Sequence, residues 1–269
     1  SEFTLTTEVG VGWDVGKVRY KNPNEDNVLT LQGTCPFEGR LLPFSLFIVA
    51  DGMGGHANGR EASRIAVQRL THAVLYNLLN MKQLSEAALI GVLLQGVQQA
   101  NKAVYQRANE LGVGMGTTVT AVLVVEKIAY VVNVGDSRTY LYRPANGLSQ
   151  VTRDHSVVAQ MVEEGRLAAE DIYTHPDRNQ VYRGLGDQSV VEVDWFTVQL
   201  QVDDYLLLCS DGLWEMVRDR EIERIMQRTK AQPAHVSAML VQAAQDAGGV
   251  DNISIVVVHA IPAVSCRVS

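Results

Sequence analysis

Apolar residues recur every three or four positions in two consecutive segments of the chain. The first segment covers residues 59–78, and this spacing is typical of a helix with one apolar face. In the second segment, Ser85 is a suitable N-cap and the apolar positions run from Leu89 to Val104. Only a short loop separates the segments, so the pattern predicts two consecutive amphipathic helices.

Continuous apolar runs indicate buried strands in other parts of the chain. Residues 44–50 form such a run, which ends in a glycine-rich turn. Residues 118–125 and 128–134 are β-branched runs, and residues 139–142 follow Gly135-Asp136-Ser137. Because connections this short permit only antiparallel pairing, the three runs are expected to form a β-meander.

The remaining elements complete a layered fold. Helices are predicted near residues 157–164, 218–228 and 234–246, and strands at residues 205–210 and 253–259. Antiparallel strands and paired helices favour a layered α+β sandwich over a doubly wound parallel sheet. We expect one domain over about residues 5–261, because no linker or repeat divides the chain. Ser1-Glu2-Phe3 and residues 265–269 are typical of cloning remnants and lie outside it.

Composition and charge narrow the class of protein. The 269 residues are 46% hydrophobic and 20% charged, which is ordinary for a globular protein and excludes a disordered chain. The formal net charge is −7 and no basic stripe is present, so nucleic-acid binding is not expected. No apolar stretch of about 18 residues and no signal peptide is visible, so no membrane segment is expected.

The three cysteines, Cys35, Cys209 and Cys266, are widely spaced and include no Cys-x-x-Cys pair. Neither a disulfide framework nor a zinc site is therefore predicted. Free thiols are typical of a reducing compartment, so we expect a cytoplasmic protein or the cytoplasmic domain of a longer one.

Acidic residues stand in tight turns, mostly just after apolar strands. Five such clusters occur: Asn24-Glu25-Asp26-Asn27, Asp51-Gly52-Met53-Gly54-Gly55, Gly135-Asp136-Ser137-Arg138, Ser210-Asp211-Gly212 and Gly249-Val250-Asp251-Asn252. Each alone is typical of an ordinary turn. Several converging carboxylates, however, repel one another unless cations lie between them. Oxygen ligands without a histidine or cysteine cluster favour Mg²⁺ or Mn²⁺ over zinc, so the pattern indicates a shared site for such ions.

An ordered set of motifs resembles those of one family: Glu25-Asp26, Asp51-Gly52-Met53-Gly54-Gly55-His56, Gly114-Met115-Gly116-Thr117-Thr118, Val134-Gly135-Asp136-Ser137-Arg138, Ser210-Asp211-Gly212-Leu213-Trp214 and Asp251-Asn252. Over about residues 9–258 the chain resembles the metal-dependent protein phosphatases of type 2C, the PPM class, and in particular its bacterial members. The resemblance implies a four-layer αββα sandwich in which helix pairs flank two antiparallel sheets. It also implies hydrolysis of phosphoserine and phosphothreonine in proteins.

The resemblance further implies a set of ligands for two metal ions. Asp51 would bridge the two ions. Asp211 and Asp251 would complete the first ion, and Glu25 and the backbone carbonyl of Gly52 would serve the second.

Other acidic residues are placed around these ions by the same resemblance. Asp26 would hold a metal-bound water. Asp136, with Asp211 and Glu215, resembles a third metal site, although Glu215 stands where some relatives carry Asp. Two divalent ions can lower the pKa of a water that bridges them, and the resulting hydroxide would attack phosphorus. The expected cofactors are thus two or three Mn²⁺ or Mg²⁺ ions.

Phosphate binding has two candidate residues. Arg19 resembles the family's phosphate-binding arginine, whose guanidinium would grip two phosphate oxygens. Five residues separate Arg19 from Glu25, a longer spacing than many members have. Lys21 is therefore a competing candidate, and a solvated residue at a strand end is the alternative for Arg19.

Three residues bear on proton transfer. Met53 stands where some relatives have a histidine, so that histidine's role does not transfer to this chain. His56 is a candidate contact to a metal-bound water or to the leaving group, and a residue at a helix start without proton transfer is the alternative. His155 follows Asp154 directly, and adjacent residues cannot converge as a catalytic triad does, so a structural role is predicted.

Residues 112–116 contain alternating glycines, but they follow a helix. A turn into the sheet is therefore predicted rather than a dinucleotide-binding loop. Residues 154–186 resemble the family's flap, which helps to select protein substrates, and a static surface loop is the alternative. Trp195 and Trp214 are predicted core residues.

Phosphorylated proteins are the expected partners, and the resemblance implies an opposing Ser/Thr protein kinase. A binding module that has lost the chemistry is disfavoured, because every expected carboxylate is present. A metal-dependent phosphohydrolase acting on small molecules is the other open class. A monomer is the default expectation.

Overall fold

Two antiparallel β-sheets form the centre of the fold. The computed structural model describes residues 5–55, 57–228 and 232–263. The strands in these ranges are β1 (Leu5–Asp14), β2 (Asn27–Phe37), β3 (Arg40–Ala50), β4 (Gly52–Met53), β5 (Gly116–Thr117), β6 (Val119–Val125), β7 (Ile128–Val134), β8 (Arg138–Arg143), β9 (Gly147–Gln150), β10 (Asp194–Gln199), β11 (Tyr205–Cys209) and β12 (Ile253–Pro262). The α-helices are α1 (Ala57–Leu79), α2 (Glu86–Leu111), α3 (Val157–Glu163), α4 (Asp211–Trp214), α5 (Asp219–Arg228) and α6 (Pro233–Asp246), and a 3₁₀ helix covers Ala169–Tyr173.

The sheets stack as the inner layers of a sandwich. One sheet has the strand order β1-β12-β11-β8-β9 and the other the order β10-β7-β6-β3-β2, while β4 and β5 form a separate two-stranded ribbon. Helices α1 and α2 pack on the second sheet, and α5 and α6 pack on the first. This arrangement confirms the predicted four-layer αββα sandwich.

Apolar cores fill the spaces between the layers. Phe47 and Leu208 lie between the two sheets, Leu70 lies under the first helix pair and Leu240 under the second. Burial of one such side chain contributes about 1.5–3 kcal/mol. Residues 44–50 are apolar except for Ser45 because both faces of β3 are covered, one by helices and one by the other sheet.

The antiparallel register brings the acidic turns to one end of the sandwich. Asn27 at the start of β2 pairs with Ala50 at the end of β3. In the other sheet, Ile253 at the start of β12 pairs with Asp14. The turns that precede β2 and β12 therefore meet the turns that follow β3 and β11.

The predicted β-meander is wrong in its third strand. β6 and β7 pair as expected, but β8 pairs with β9 and β11 in the other sheet. Stacked sheets lie only about 10 Å apart, so a connection of three residues can step between them as well as reverse within one. Gly135 begins this step with a φ of 105°. The connection thereby carries Asp136 across the end of the sandwich.

One tryptophan was predicted correctly and the other was not. Trp214 is buried, whereas Trp195 is 50% exposed. Trp195 lies on β10, an edge strand, and its neighbour Phe196 packs against the core between the sheets instead.

Helix α2 begins and ends as its sequence predicts. The side chain of Ser85 caps its first turn, and Gly112 ends it in the left-handed conformation with a φ of 65°. Residues 112–116 therefore form the predicted turn into β5.

The cysteines that lie in the described ranges, Cys35 and Cys209, are buried free thiols; Cys266 lies outside those ranges. In the same ranges, no helix combines the length and the apolar character that crossing a bilayer demands.

Candidate active site

A cleft of about 320 Å³ opens at the end of the sandwich where the acidic turns meet. Its lining includes these charged residues: Arg19, Glu25, Asp51, Asp136, Asp211 and Asp251. The predicted residues thus come together from turns that are up to about 230 positions apart in the chain. Asp26 lies beneath the lining and is 1% exposed. His56 lies outside the described residues.

The backbone of Asp51 is held by two threonines at the junction between β5 and β6. Its N–H donates to Thr118 Oγ1 at 3.0 Å, and its carbonyl oxygen accepts from Thr117 Oγ1 at 2.8 Å. The next residue, Gly52, is pressed between two backbones, because a Cβ there would lie 2.2 Å from the carbonyl oxygen of Gly59. Glycine is thus the residue that permits this turn.

The turns bearing Asp26 and Asp251 are fastened to each other by polar residues. The N–H of Glu25 donates to Asn252 Oδ1 at 2.8 Å. Ser210 Oγ donates to Asp26 Oδ2 at 2.8 Å and accepts the N–H of Ser254 at 3.0 Å. These bonds fix the acidic side chains relative to one another before any ligand binds.

Asp136 is held through its backbone by a buried tryptophan. Trp214 Nε1 donates to the carbonyl oxygen of Asp136 at 3.0 Å, and the guanidinium carbon of Arg138 lies 3.7 Å from the centre of the Trp214 ring. Arg138 is itself fixed by a bidentate pair with Asp154, in which Nε donates to Oδ1 at 3.1 Å and Nη2 to Oδ2 at 2.7 Å. Burial, and next the charge of Asp211, raise the pKa of Asp136 well above its ordinary value.

Burial, and after it mutual repulsion, raises the pKa values of the carboxylates in the cleft. Burial raises the pKa of Asp26 to about 6 and, together with the charge of Glu215, that of Asp211 to about 7. Burial and the Asp211 carboxylate raise the pKa of Asp251 to about 7. Burial, and then the charges of Asp26 and Asp211, raise the pKa of Asp51 well above its ordinary value. Cations between these groups would therefore lower the free energy of the ionised cleft.

Two buried carboxylate oxygens suit metal ligation. Asp26 Oδ1 and Asp211 Oδ1 have no hydrogen-bond partner among the described residues. Buried polar atoms ordinarily have a partner, and an all-oxygen donor set of this kind suits Mg²⁺ or Mn²⁺. In the described part of the chain, no group of three or more acidic, histidine or cysteine side chains already has the geometry of a metal site.

Arg19 spans two of the acidic turns. Its Nη1 lies 3.2 Å from Glu25 Oε2 and its Nη2 lies 2.9 Å from Asp251 Oδ2. Lys21 is exposed, and its Nζ lies 5.4 Å from the centre of the Tyr20 ring. The structure therefore places the guanidinium of Arg19, and not the ammonium of Lys21, in the cleft.

Glu215 lies beside the cleft, just after α4. Its Oε2 is 3.7 Å from Arg178 Nε, and burial raises the pKa of this glutamate. Met53 does line the cleft, and its Cε would lie 2.8 Å from a Cβ placed on Gly184. Strand β4, which follows Asp51, therefore touches the segment that resembles a flap.

Comparisons with known proteins agree with this geometry. Residues 17–253 match the family model described as protein phosphatase 2C. The serine/threonine phosphatase stp of Listeria monocytogenes is 37% identical over 252 residues, which cover 91% of this chain and 93% of that protein. Protein phosphatase PhpP of Streptococcus pneumoniae is 33% identical over 255 residues, which cover 93% of this chain and 96% of that protein.

Solved structures give the same result. The serine/threonine phosphatase PstP/Ppp of Mycobacterium tuberculosis superposes with a TM-score of 0.78 at 32% identity, over 97% of this chain and 100% of that one. A PstP catalytic domain in complex with two manganese ions superposes with a TM-score of 0.78 at 31% identity, over 96% and 100% of the two chains. The chain belongs to the protein phosphatase 2C family.

Proposed function

We propose that this chain, a serine/threonine phosphatase of the 2C type, dephosphorylates phosphoserine and phosphothreonine in proteins within the acidic cleft. The observation that carries this proposal is the convergence of Asp51, Asp136, Asp211 and Asp251 around one cavity that Arg19 also lines. Such a cleft repels a phosphate dianion unless divalent cations are bound in it. The proposed cofactors are two or three Mn²⁺ or Mg²⁺ ions.

The proposed ligands of two ions come from the acidic turns. Asp51 would serve both ions, Asp211 and Asp251 would complete one, and Glu25 with the carbonyl oxygen of Gly52 would serve the other. All five line the cleft, which supports this assignment.

Asp26 and Glu215 have separate proposed roles. Asp26 orients a water from beneath the cleft, and its orphaned Oδ1 supports this role. A third ion would use Asp136, Asp211 and Glu215. For Glu215, ligation competes with its ion pair to Arg178.

Bound divalent ions supply activation of a water nucleophile and neutralisation of the phosphate charge. The part of Arg19 is to present two N–H donors to phosphate oxygens and so hold the phosphorus in line for attack. Water adds to phosphorus and gives up a proton, the bond to the Ser or Thr oxygen breaks, and that oxygen takes a proton. The products are inorganic phosphate and the free hydroxyl. His56 is the proposed proton donor.

The proposed physiological partners follow from this reaction. A Ser/Thr protein kinase that phosphorylates the same proteins opposes it. The cytoplasm is the proposed compartment, with which the buried free thiols Cys35 and Cys209 are compatible. A monomer is the proposed state.

Phosphate release from a phosphothreonine peptide tests the proposal. Release is expected with Mn²⁺, is expected to stop with EDTA, and is expected to be much slower from a matched phosphotyrosine peptide. Asp211→Asn and Asp251→Asn should abolish release while circular dichroism stays unchanged, and Asp203→Asn, an exposed aspartate at a strand connection, is the control. Release that ignores EDTA, or normal activity in either site variant, contradicts the proposal.

A further inference from the structure

His155 forms hydrogen bonds with the turn that precedes Asp136. Its ring is buried, and its Nδ1 accepts the N–H of Gly135 at 3.0 Å. Its backbone N–H donates to the carbonyl oxygen of the same glycine at 3.0 Å. One residue thus holds both polar groups of Gly135, at the place where the chain steps between the sheets.

The other side of the His155 ring faces Arg183, near the end of the flap-like segment, and Asp194, at the start of β10. Nε2 lies 3.3 Å from Asp194 Oδ2 and 3.1 Å from Arg183 Nη1, which donates to the second oxygen of Asp194 at 3.0 Å. Burial, and next the charge of Arg183, lower the pKa of His155, so the ring is neutral at neutral pH. Because Nδ1 is an acceptor, the single ring proton lies on Nε2 and is donated to Asp194.

The backbone around His155 pairs with a segment that lines the cleft. The N–H of Tyr182 donates to the carbonyl oxygen of His155 at 2.9 Å, and Ser156 forms a β-bridge with Val181. Asn179 and Val181 line the cleft beside Asp136. A substrate that touches residues 179–181 therefore contacts a segment anchored directly on His155.

We propose that His155 is a positioning residue that couples the substrate-facing segment 179–181 to the turn carrying Asp136. The Nδ1 side orients Asp136, and the Nε2 side orients the segment through Asp194 and Arg183. This inference rests on the proposed role of Asp136 in the cleft. It assigns no direct contact with substrate to His155.

Substituting His155 by an amide residue, Asn or Gln, tests the contacts of Nδ1 and of Nε2 separately. In His155→Asn the amide stands near the position of Nδ1, so the bond to Gly135 is kept and the contact with Asp194 is lost. In His155→Gln the amide reaches the position of Nε2, so the contact with Asp194 is kept and the N–H of Gly135 loses its acceptor. Each variant is measured with p-nitrophenyl phosphate and with a phosphothreonine peptide, and Mn²⁺ binding is measured by calorimetry.

The two variants are expected to fail differently. His155→Asn should raise KM for the peptide roughly fivefold to tenfold, and leave kcat on p-nitrophenyl phosphate and Mn²⁺ binding within about twofold of wild type. His155→Gln should lower kcat on both substrates and weaken Mn²⁺ binding roughly tenfold, with little change in peptide KM. Hydrogen exchange at Gly135 should be faster in His155→Gln and unchanged in His155→Asn.

His259 provides the matched control. It is a largely buried histidine stacked on Tyr205 at 4.2 Å between the ring centres, and it pairs with Asp203 and Glu8. None of these residues lines the cleft. His259→Asn and His259→Gln should leave both KM values and Mn²⁺ binding unchanged.

If both His155 variants lose activity and Mn²⁺ binding equally, in proportion to the fall in their melting temperatures, the role of His155 is merely structural and the proposal is overturned. Wild-type behaviour in both variants also overturns it. If either variant fails to fold, Asp194→Asn tests the Nε2 side alone, because this half-buried residue contacts the ring only at Nε2. An unchanged peptide KM in Asp194→Asn overturns the coupling. Asp136→Asn separates the two proposals. Wild-type kcat and Mn²⁺ binding in Asp136→Asn would refute the role of Asp136. The role of His155 is tested separately, by hydrogen exchange at Gly135 and by the peptide KM in the His155 variants.

Discussion

Trp214 Nε1 donates to the carbonyl oxygen of Asp136 at 3.0 Å, across 78 positions of the chain. Trp214 closes the helical turn that begins at Asp211, so one indole ties two acidic turns from different parts of the sequence. The cleft is therefore built by buried neutral donors behind the carboxylates as well as by the carboxylates themselves.

Trp214→Phe removes this hydrogen bond and keeps most of the ring. We expect the free energy of unfolding to fall by about 1–3 kcal/mol, since a buried carbonyl oxygen loses its donor, and we expect weaker Mn²⁺ binding. Urea unfolding and calorimetry measure the two effects. Trp195→Phe is the control, and as a half-exposed site it should change stability by no more than about 0.5 kcal/mol. Unaltered Mn²⁺ binding in Trp214→Phe would contradict the link to Asp136.

Stability without metal should fall as pH rises. The folded-state pKa of Asp26 is about 6 and those of Asp211 and Asp251 about 7, all above the ordinary value of 3.8. The folded protein thus binds these protons more tightly than the unfolded chain does. The resulting stabilisation is complete below about pH 4 and is lost as pH rises through about 7.

We therefore expect the melting temperature in EDTA to be lower at pH 8 than at pH 5. Mn²⁺ competes with protons for the same oxygens, so the increase in melting temperature that it causes should be larger at pH 8. Asp51→Asn removes one of the mutually repelling carboxylates, so the melting temperature in EDTA should fall less between pH 5 and pH 8 in this variant. A melting temperature in EDTA that rises from pH 5 to pH 8 would show that these groups are not strained in the fold.

Arg19→Ala should raise the KM for a phosphothreonine peptide by about tenfold or more, because a guanidinium makes two directed bonds to phosphate. Lys21→Ala is the control and should leave KM unchanged, because Lys21 is exposed beside Tyr20. Steady-state kinetics at saturating Mn²⁺ distinguish the two variants. If the effects are reversed, the phosphate-binding role belongs to Lys21.

Gly52→Ala should be strongly destabilising, by about 2 kcal/mol or more, because its Cβ would clash with the carbonyl oxygens of Gly59 and Glu25. Gly91→Ala is a matched change in the interior of α2, where a Cβ meets no atom within 4 Å. That substitution should stabilise the protein by about 0.5–1 kcal/mol, since alanine favours a helix. Equal effects of the two substitutions would mean that the turn at Gly52 relaxes freely.

Local pattern was enough to predict the main layers of the fold. The apolar run of residues 44–50, the helical spacing of residues 59–78 and the cap at Ser85 each depend on neighbours in sequence. The β-meander failed because a connection of three residues fits both a hairpin and a step between stacked sheets. The prediction that Trp195 is a core residue failed because the sequence does not show that β10 is an edge strand.

In the candidate site, too, local pattern predicts some residues and misses others. The carboxylates that line the cleft could be found because each stands in one of the five acidic turns. The residues that hold them could not, because Trp214, Asn252 and the ring of His155 act through contacts distant in sequence. Spacing alone also does not show which of Arg19 and Lys21 turns into the cleft, and the structure places Arg19 there.

Anomalous diffraction from crystals grown with Mn²⁺ tests the central claim, that the acidic cleft holds the catalytic ions. We expect two strong manganese peaks on either side of the Asp51 carboxylate, with Asp211 and Asp251 on one ion and Glu25 with the carbonyl oxygen of Gly52 on the other. Crystals of Asp211→Asn should lose at least one of the peaks. Manganese bound elsewhere, or no peak in the cleft of an active crystal, would contradict the account.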